Sequence, residues 1–227
     1  MSNDVFGIDL DKYRIIDLSA TVQTDEDALP GRPFYTMRSD TLPDGKDTEA
    51  VFTHSHVGTH VETTKHFFRR GNTIDDYPLE RFMGEAVILS VDDKGEGDWS
   101  MDYDYLEEKL GDRIQKGDIV IWRNENAPDD PNVPHPGGKV PYFEPAAAEF
   151  FVDYDVKMII MGRVDFGKNW ELGNEFEGTI HDNNIPIIDM PANLSEIQKE
   201  RVFVMAFPFK VDGLGSSWVR AVAVEAR

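Results

Sequence analysis

Residues 53–67 read THSHVGTHVETTKHF, a stretch that holds four of the six histidines of this 227-residue chain beside Glu62, in a sequence with no cysteine. His54, His56, His60, Glu62, Thr64 and His66 share one parity, so in an extended chain all of them project from one face. A helix aligns His56 with His60 but turns Glu62 about 200° away from His60. Extension alone leaves His56 and His60 roughly 13 Å apart at ~3.3 Å per residue, whereas ligands of one ion converge to ~2.0–2.2 Å from it. Gly58 lies between the two histidines, and glycine accepts the backbone angles that turn a chain back on itself. Two imidazoles and a carboxylate, His56, His60 and Glu62, are therefore expected on one divalent metal. His54 has only its parity to recommend it and is expected to be solvated.

Around this stretch, short apolar runs bounded by turn residues predict strands at 13–18, 86–91, 118–122, 157–162, 185–188, 201–207 and 218–224. Helical patterns fall at 102–110, at 143–151 behind Pro145, at 176–184, and at 194–199, where Ser195 and Gln198 have capping-box spacing. Strands interleaved with single helices predict an α/β fold, and no repeat or composition shift divides residues 1–227 into more than one domain. The segment 124–141, NENAPDDPNVPHPGGKVP, is too rich in proline and glycine for a regular element and long enough to be a functional loop containing His135.

Composition excludes several classes of function. With 23 Lys+Arg against 43 Asp+Glu the net charge is −20, which repels nucleic-acid phosphates and anionic lipid surfaces. The absence of cysteine removes disulfides, thiolate metal sites and cysteine nucleophiles. The opening residues MSNDVFGIDLDKY carry scattered acids and neither a basic nor an apolar signal region, and no apolar run is long enough to span a bilayer. A cytoplasmic protein is expected. GLGSSW at 213–218 lacks the spacing of a nucleophile elbow, no nucleotide-binding fingerprint occurs, and the acidic run DDKGEGD at 92–98 lacks the ligand order of a calcium loop. Arg69 and Arg70, beside a predicted turn, are expected at the surface.

HVGTHVETTKHF, residues 56–67, resembles the H-x-G-T-H-x-(D/E)-x-P-x-H-F signature of the cyclase family that contains bacterial kynurenine formamidase and isatin hydrolase. IIDLSATV at 15–22 and GNTIDDYPLERFMGEAVILSV at 71–91 extend the resemblance, as do GDIVIWRNENA at 117–127 and AAEFFVDYDVKMIIMGRVDF at 147–166 with Asp165. IPIIDMPANL at 185–194 and FPFKVDGLGSSWVRAVAVEA at 207–226 complete it. The resemblance implies a central β-sheet with flanking helices of the swivelling β/β/α type, a homo-oligomer (dimer or tetramer), and metal-dependent hydrolysis of an amide or lactam. His56, His60 and Glu62 fall on the family's first metal site, and His66 on the histidine assigned proton transfer. Thr64 replaces the customary proline, a change that loosens the loop and removes no ligand.

The family's second metal site pairs a histidine with a glutamate twelve residues later; here the corresponding positions are Glu177 and Asp189. His181 lies one helical turn after Glu177 and can share its face, so either or both can ligate. Exchange of imidazole for carboxylate makes the site harder, which favours Mn²⁺ or Mg²⁺ over Zn²⁺. The expected cofactor is one or two divalent ions, manganese or zinc. A metal lowers the pKa of its water from ~15.7 to about 7, supplying a metal-bound hydroxide, and His66 has the intrinsic pKa to shuttle the proton to the leaving nitrogen. The expected substrate is a small aromatic amide of the arylformamide or isatin kind, an inference from the resemblance. Phe34, Tyr35, Trp122, Phe166, Trp170 and Trp218 are candidate pocket aromatics, with one or two expected in the site. The alternative is a non-catalytic metal-binding protein that keeps this fold.

Overall fold

The computed structural model describes residues 9–22, 35–91, 100–125, 128, 130, 131, 141–162 and 170–227. The run at 92–98, Phe34, His135 with most of the 124–141 loop, and Asp165 with Phe166 lie outside the described residues. In chain order the strands are β1 (Tyr13–Asp17), β2 (Tyr35–Thr41), β3 (Asp47–Thr53), β4 (His60–Glu62), β5 (Met83–Val91) and β6 (Ser100–Met101). They continue as β7 (Ile119–Asn124), β8 (Tyr142–Phe143), β9 (Met158–Met161), β10 (Ile187–Asp189), β11 (Arg201–Pro208) and β12 (Ser216–Ala226). The helices are α1 (Thr64–Phe67), α2 (Tyr103–Leu110), α3 (Pro145–Asp153) and α4 (Trp170–Asp182).

The main sheet runs β12-β11-β5-β7-β9-β10-β4 and returns to β12, so seven strands close into a barrel. The expected central sheet of a mixed α/β fold is present, but it has no free edge in this ring. Closure follows from the length of β12: its first residues pair with β4 (Ser216↔Glu62, Trp218↔His60) and its last with β1 (Val222↔Asp17, Ala226↔Tyr13). β5, β7, β9 and β10 are parallel neighbours, and β7 and β9 are apolar runs buried on both faces, as parallel strands covered by helices require.

Alternate residues of these strands feed two cores. Ile88, Ile121, Ile160, Ile188, Val61 and Val204 fill the barrel. Leu89, Val120, Ile159 and Ile187 point the other way, under Leu106, Phe150, Phe151, Phe176 and Ile180 of α2, α3 and α4. Trp122 belongs to this outer core and is fully buried, edge-on to Phe143. Because Val61 faces inward, its neighbours His60 and Glu62 face outward, on the side covered by α4.

Several sequence expectations need correction. The helix expected at 176–184 starts six residues earlier, at Trp170, and the one expected at 143–151 runs from Pro145 to Asp153, because 142–143 pair with β6. Residues 194–199 form only a 3₁₀ turn, Leu194–Glu196, led by left-handed Asn193; the backbone N–H of Gln198 donates to Glu225 instead of closing a capping box. The β2–β3 hairpin was not signalled by alternation of polarity. No helix among the described residues is long and apolar enough to cross a membrane.

Candidate metal centre

The one-face reading of residues 54–66 holds only for His60 and Glu62 on β4. His56 sits in the preceding turn and His66 on α1, so a turn and a helix, not extension, bring them in. Gly58 supplies the turn at φ +63, and a Cβ there would collide with Val22 Cγ2. His54 is exposed, as expected.

Glu62 is the hub. Its Oε1 lies 3.2 Å from Nε2 of His56, 3.2 Å from Nε2 of His60 and 3.6 Å from Nε2 of His66. Ligand atoms of His56, Glu62 and His66 all lie within 4.8 Å of one another, and His56 Nε2 is 2.9 Å from His66 Nδ1. The cluster grades from closed to open: the side chain of His60 is 2% exposed, that of His56 21% and that of His66 32%. Asp189 on β10 pairs in register with His60. Glu177 and His181, one turn apart on α4, cover the same wall, and the His181 ring stands 6.2 Å from that of His66. The structure therefore gathers His56, His60, Glu62, His66, Glu177, His181 and Asp189 in one place.

Each of the two histidines nearest Glu62 has its second nitrogen occupied, an arrangement that fixes ring orientation in metal sites. His60 Nδ1–H donates to the Gly58 carbonyl at 2.8 Å, which leaves Nε2 toward Glu62. His56 Nδ1 lies 3.1 Å from Ser55 Oγ and 3.2 Å from Ser216 Oγ. Ser55 and Ser216 carry no signal in the sequence, since a serine beside a histidine is commonplace. Ser216 lies 160 residues from its partner.

Charge in this pocket is shared unequally. Burial by itself raises the Glu62 carboxyl, but hydrogen bonds from His56 and His60 and the charges of His60 and His66 overcome it and hold it well below the usual carboxylate range. Burial opposes a charge on His60, and Glu62, Asp189 and the Gly58 carbonyl outweigh it, so His60 is raised. Glu177 is pushed up to about 8, first by burial and then by Glu62 and Asp189. Asp189 is also raised, mainly by burial, with Glu62 adding to the effect and His60 opposing it. His181 falls to about 4 through burial. Its two ring nitrogens are buried with no hydrogen-bond partner among the described residues, so a neutral imidazole keeps an unshared lone pair in the pocket.

A closed barrel whose outer wall presents imidazoles and carboxylates beneath a helix defines a histidine–carboxylate α/β protein. The Cyclase family model matches residues 16–166, and the chain belongs to that family. Nothing among curated protein sequences matches it. Isatin hydrolase A from Labrenzia aggregata, bound to benzyl benzoate, is similar over 96% of this chain and 95% of its own, with a TM-score of 0.78 and 19% identity. Isatin hydrolase A from Ralstonia solanacearum is similar over 94% and 92%, with a TM-score of 0.71 and 22% identity. An isatin hydrolase bound to the product analogue thioisatinate is similar over 96% and 94%, at 0.73 and 16%. At these identities the likeness establishes the fold.

Proposed function

We propose that the chain is a metal-dependent hydrolase that cleaves the C–N bond of an amide or lactam in a small aromatic substrate. The observation that carries this reading is the single carboxylate oxygen of Glu62 facing three imidazole Nε2 atoms at 3.2, 3.2 and 3.6 Å. The donor set fits a divalent cation. His181 supports the fit: a buried unpartnered polar group costs ~1–3 kcal/mol, and an ion beside its ring removes that cost. His56, His60 and Glu62 would hold the ion, with Glu177, His181 and Asp189 extending the site toward a second. Three carboxylates in the set favour Mn²⁺ over Zn²⁺.

When bound, a divalent cation supplies an acidified water and a Lewis acid for the scissile carbonyl. The chain's own residues do the remaining work. The Gly58 carbonyl holds the proton of His60 on Nδ1, and Ser55 and Ser216 orient His56. His66, the most exposed imidazole near Glu62, receives a proton at its ring nitrogen from the attacking water and returns it to the leaving nitrogen. Burial, Glu62 and Asp189 push Glu177 up to about 8, so its carboxyl holds a proton at neutral pH that it would give up on joining a cation. The likeness to isatin hydrolases supports an aryl amide or lactam as substrate.

The reading includes a homo-oligomer. An isolated two-stranded hairpin is marginal in water, and the β2–β3 hairpin leaves Val51 and Phe52 exposed, Phe52 at 73%, which a second copy would cover. The activity is tested by following formanilide- and isatin-type substrates with the metal-stripped protein before and after Mn²⁺ or Zn²⁺ is restored. Turnover only with metal is expected. Metal binding without turnover across the panel would instead support the non-catalytic metal-binding alternative.

A further inference from the structure

Thr64 opens α1 two residues before His66, and it is buried. Its hydroxyl lies 3.0 Å from the His181 carbonyl, 3.0 Å from Oδ1 of Asn184 and 2.9 Å from the Tyr77 hydroxyl. A hydroxyl carries one proton, so it donates to one of the two acceptors at a time while accepting from the Tyr77 O–H. His181 lies in the last turn of α4, and its carbonyl also accepts the Asn184 N–H at 3.0 Å. The Thr64 hydroxyl therefore adds a bond from α1 to the turn that closes the helix carrying Glu177 and His181. Asn184, in the left-handed region at φ +56 just beyond that helix, is held in turn by Nδ2 of Asn72 at 2.7 Å.

The two helices meet at a second point. The Phe67 ring stacks on the His181 ring at 5.9 Å and 29°. A Cβ added to Gly178 would stand 3.2 Å from Phe67 Cε1, tighter than an ordinary van der Waals contact, so α4 approaches α1 closely there. Thr64 and Phe67 thus flank His66 and tie α1 to α4 on both sides of it.

We infer that Thr64 is a positioning residue whose hydroxyl locks α1 to the last turn of α4 and sets the spacing of His66 from His181 across the metal centre. The residue expected to loosen this loop by replacing proline instead fastens it. The spacing is a property of the fold, and its functional weight rests on the metal-dependent reading above.

Thr64→Val keeps the shape and deletes the hydroxyl, whereas Thr64→Ser keeps the hydroxyl. In the metal-free protein, imidazole NMR signals of His66 and His181, assigned with single His→Ala variants, should move in Thr64→Val and stay in place in Thr64→Ser. Tyr77→Phe, which removes the hydroxyl that lies 2.9 Å from Thr64 and 3.4 Å from Oδ1 of Asn184, should move the same pair less and serves if Thr64→Val does not fold. Calorimetric Mn²⁺ affinity should fall about 10-fold in Thr64→Val, the lower end for partners that orient metal ligands, and be restored in Thr64→Ser. Unmoved His66 and His181 signals in the valine and phenylalanine variants, or a serine variant displaced as far as valine, overturn the inference. A wild-type protein that binds neither Mn²⁺ nor Zn²⁺ removes the metal reading alone, because the NMR comparison needs no metal.

Discussion

Glu62 Oε1 lies 3.2 Å from His60 Nε2, two residues away on the same strand and on the same outward face. That proximity joins a carboxylate held ionised to an imidazole whose proton it stabilises. On the proposed metal-dependent reading, a cation would take the place of that proton between the two side chains.

The first prediction separates ligand from proton carrier. His60→Ala should lose metal and activity together, whereas His66→Ala should keep its metal and lose roughly 10²–10⁴ in rate, the usual size of a general acid–base contribution. Elemental analysis of untagged variants decides it. Equal metal loss in both would make His66 a ligand, a role its place within 4.8 Å of His56 and Glu62 makes geometrically accessible.

The second concerns pH. In the metal-free fold Glu177 titrates at about 8 against 4.5 for an ordinary glutamate, so between those values the native state holds a proton that the unfolded chain releases, and stability falls as pH rises. His181, at about 4 against 6.5, acts in the opposite sense, its contribution rising with pH between those values. From pH 6.5 to 8 Glu177 acts without this opposition. His60, also raised above 6.5, adds to the loss, so thermal melts in chelator over that range should decline with pH, and Glu177→Gln should make the decline shallower. Equal slopes in wild type and variant would refute the assignment.

The same proton predicts linkage to metal. Mn²⁺ binding below pH 8 should release protons into the buffer, a release that shrinks in Glu177→Gln; calorimetry in buffers of differing ionisation enthalpy measures it.

A structural control lies away from the site. The buried carboxylate of Asp118 takes two bonds from Arg201 at 2.7 and 2.8 Å and one from the Gln115 N–H. Arg201 keeps a 30% exposed side chain, so water can solvate it once its partner is gone. Asp118→Ala should cost about 2–3 kcal/mol in urea unfolding and leave metal content unchanged.

The proposed assembly is tested by light scattering. Phe52→Asp should lower the molar mass of an oligomer, and an unchanged mass would place the interface elsewhere.

The barrel strands other than β4 were legible from apolar runs, and His56, His60, Glu62 and His66 stood out in the histidine stretch, whereas Glu177, His181 and Asp189 entered through the family resemblance. Gly58 was identifiable as the turning point because no other residue between His56 and His60 adopts a positive φ so readily. Barrel closure was hidden: β4 has three residues, His60–Glu62, two of them polar, and so shows no strand pattern. The β2–β3 hairpin mixes polarity on both faces, since most of its residues are exposed. Ser55, Ser216, Tyr77 and Asn184 make contacts with residues up to 161 positions away, for which a single sequence has no local signal.

β12 forms one wall of the metal centre through Ser216 and Trp218, while its far end seals β1. On a ribosome, residues 60–62 emerge long before residues 216–226, and the ring cannot shut until the later segment is free. The cluster around Glu62 therefore lacks this wall while residues 63–215 are being made. On the metal-dependent reading proposed above, tight coordination waits for β12 to arrive.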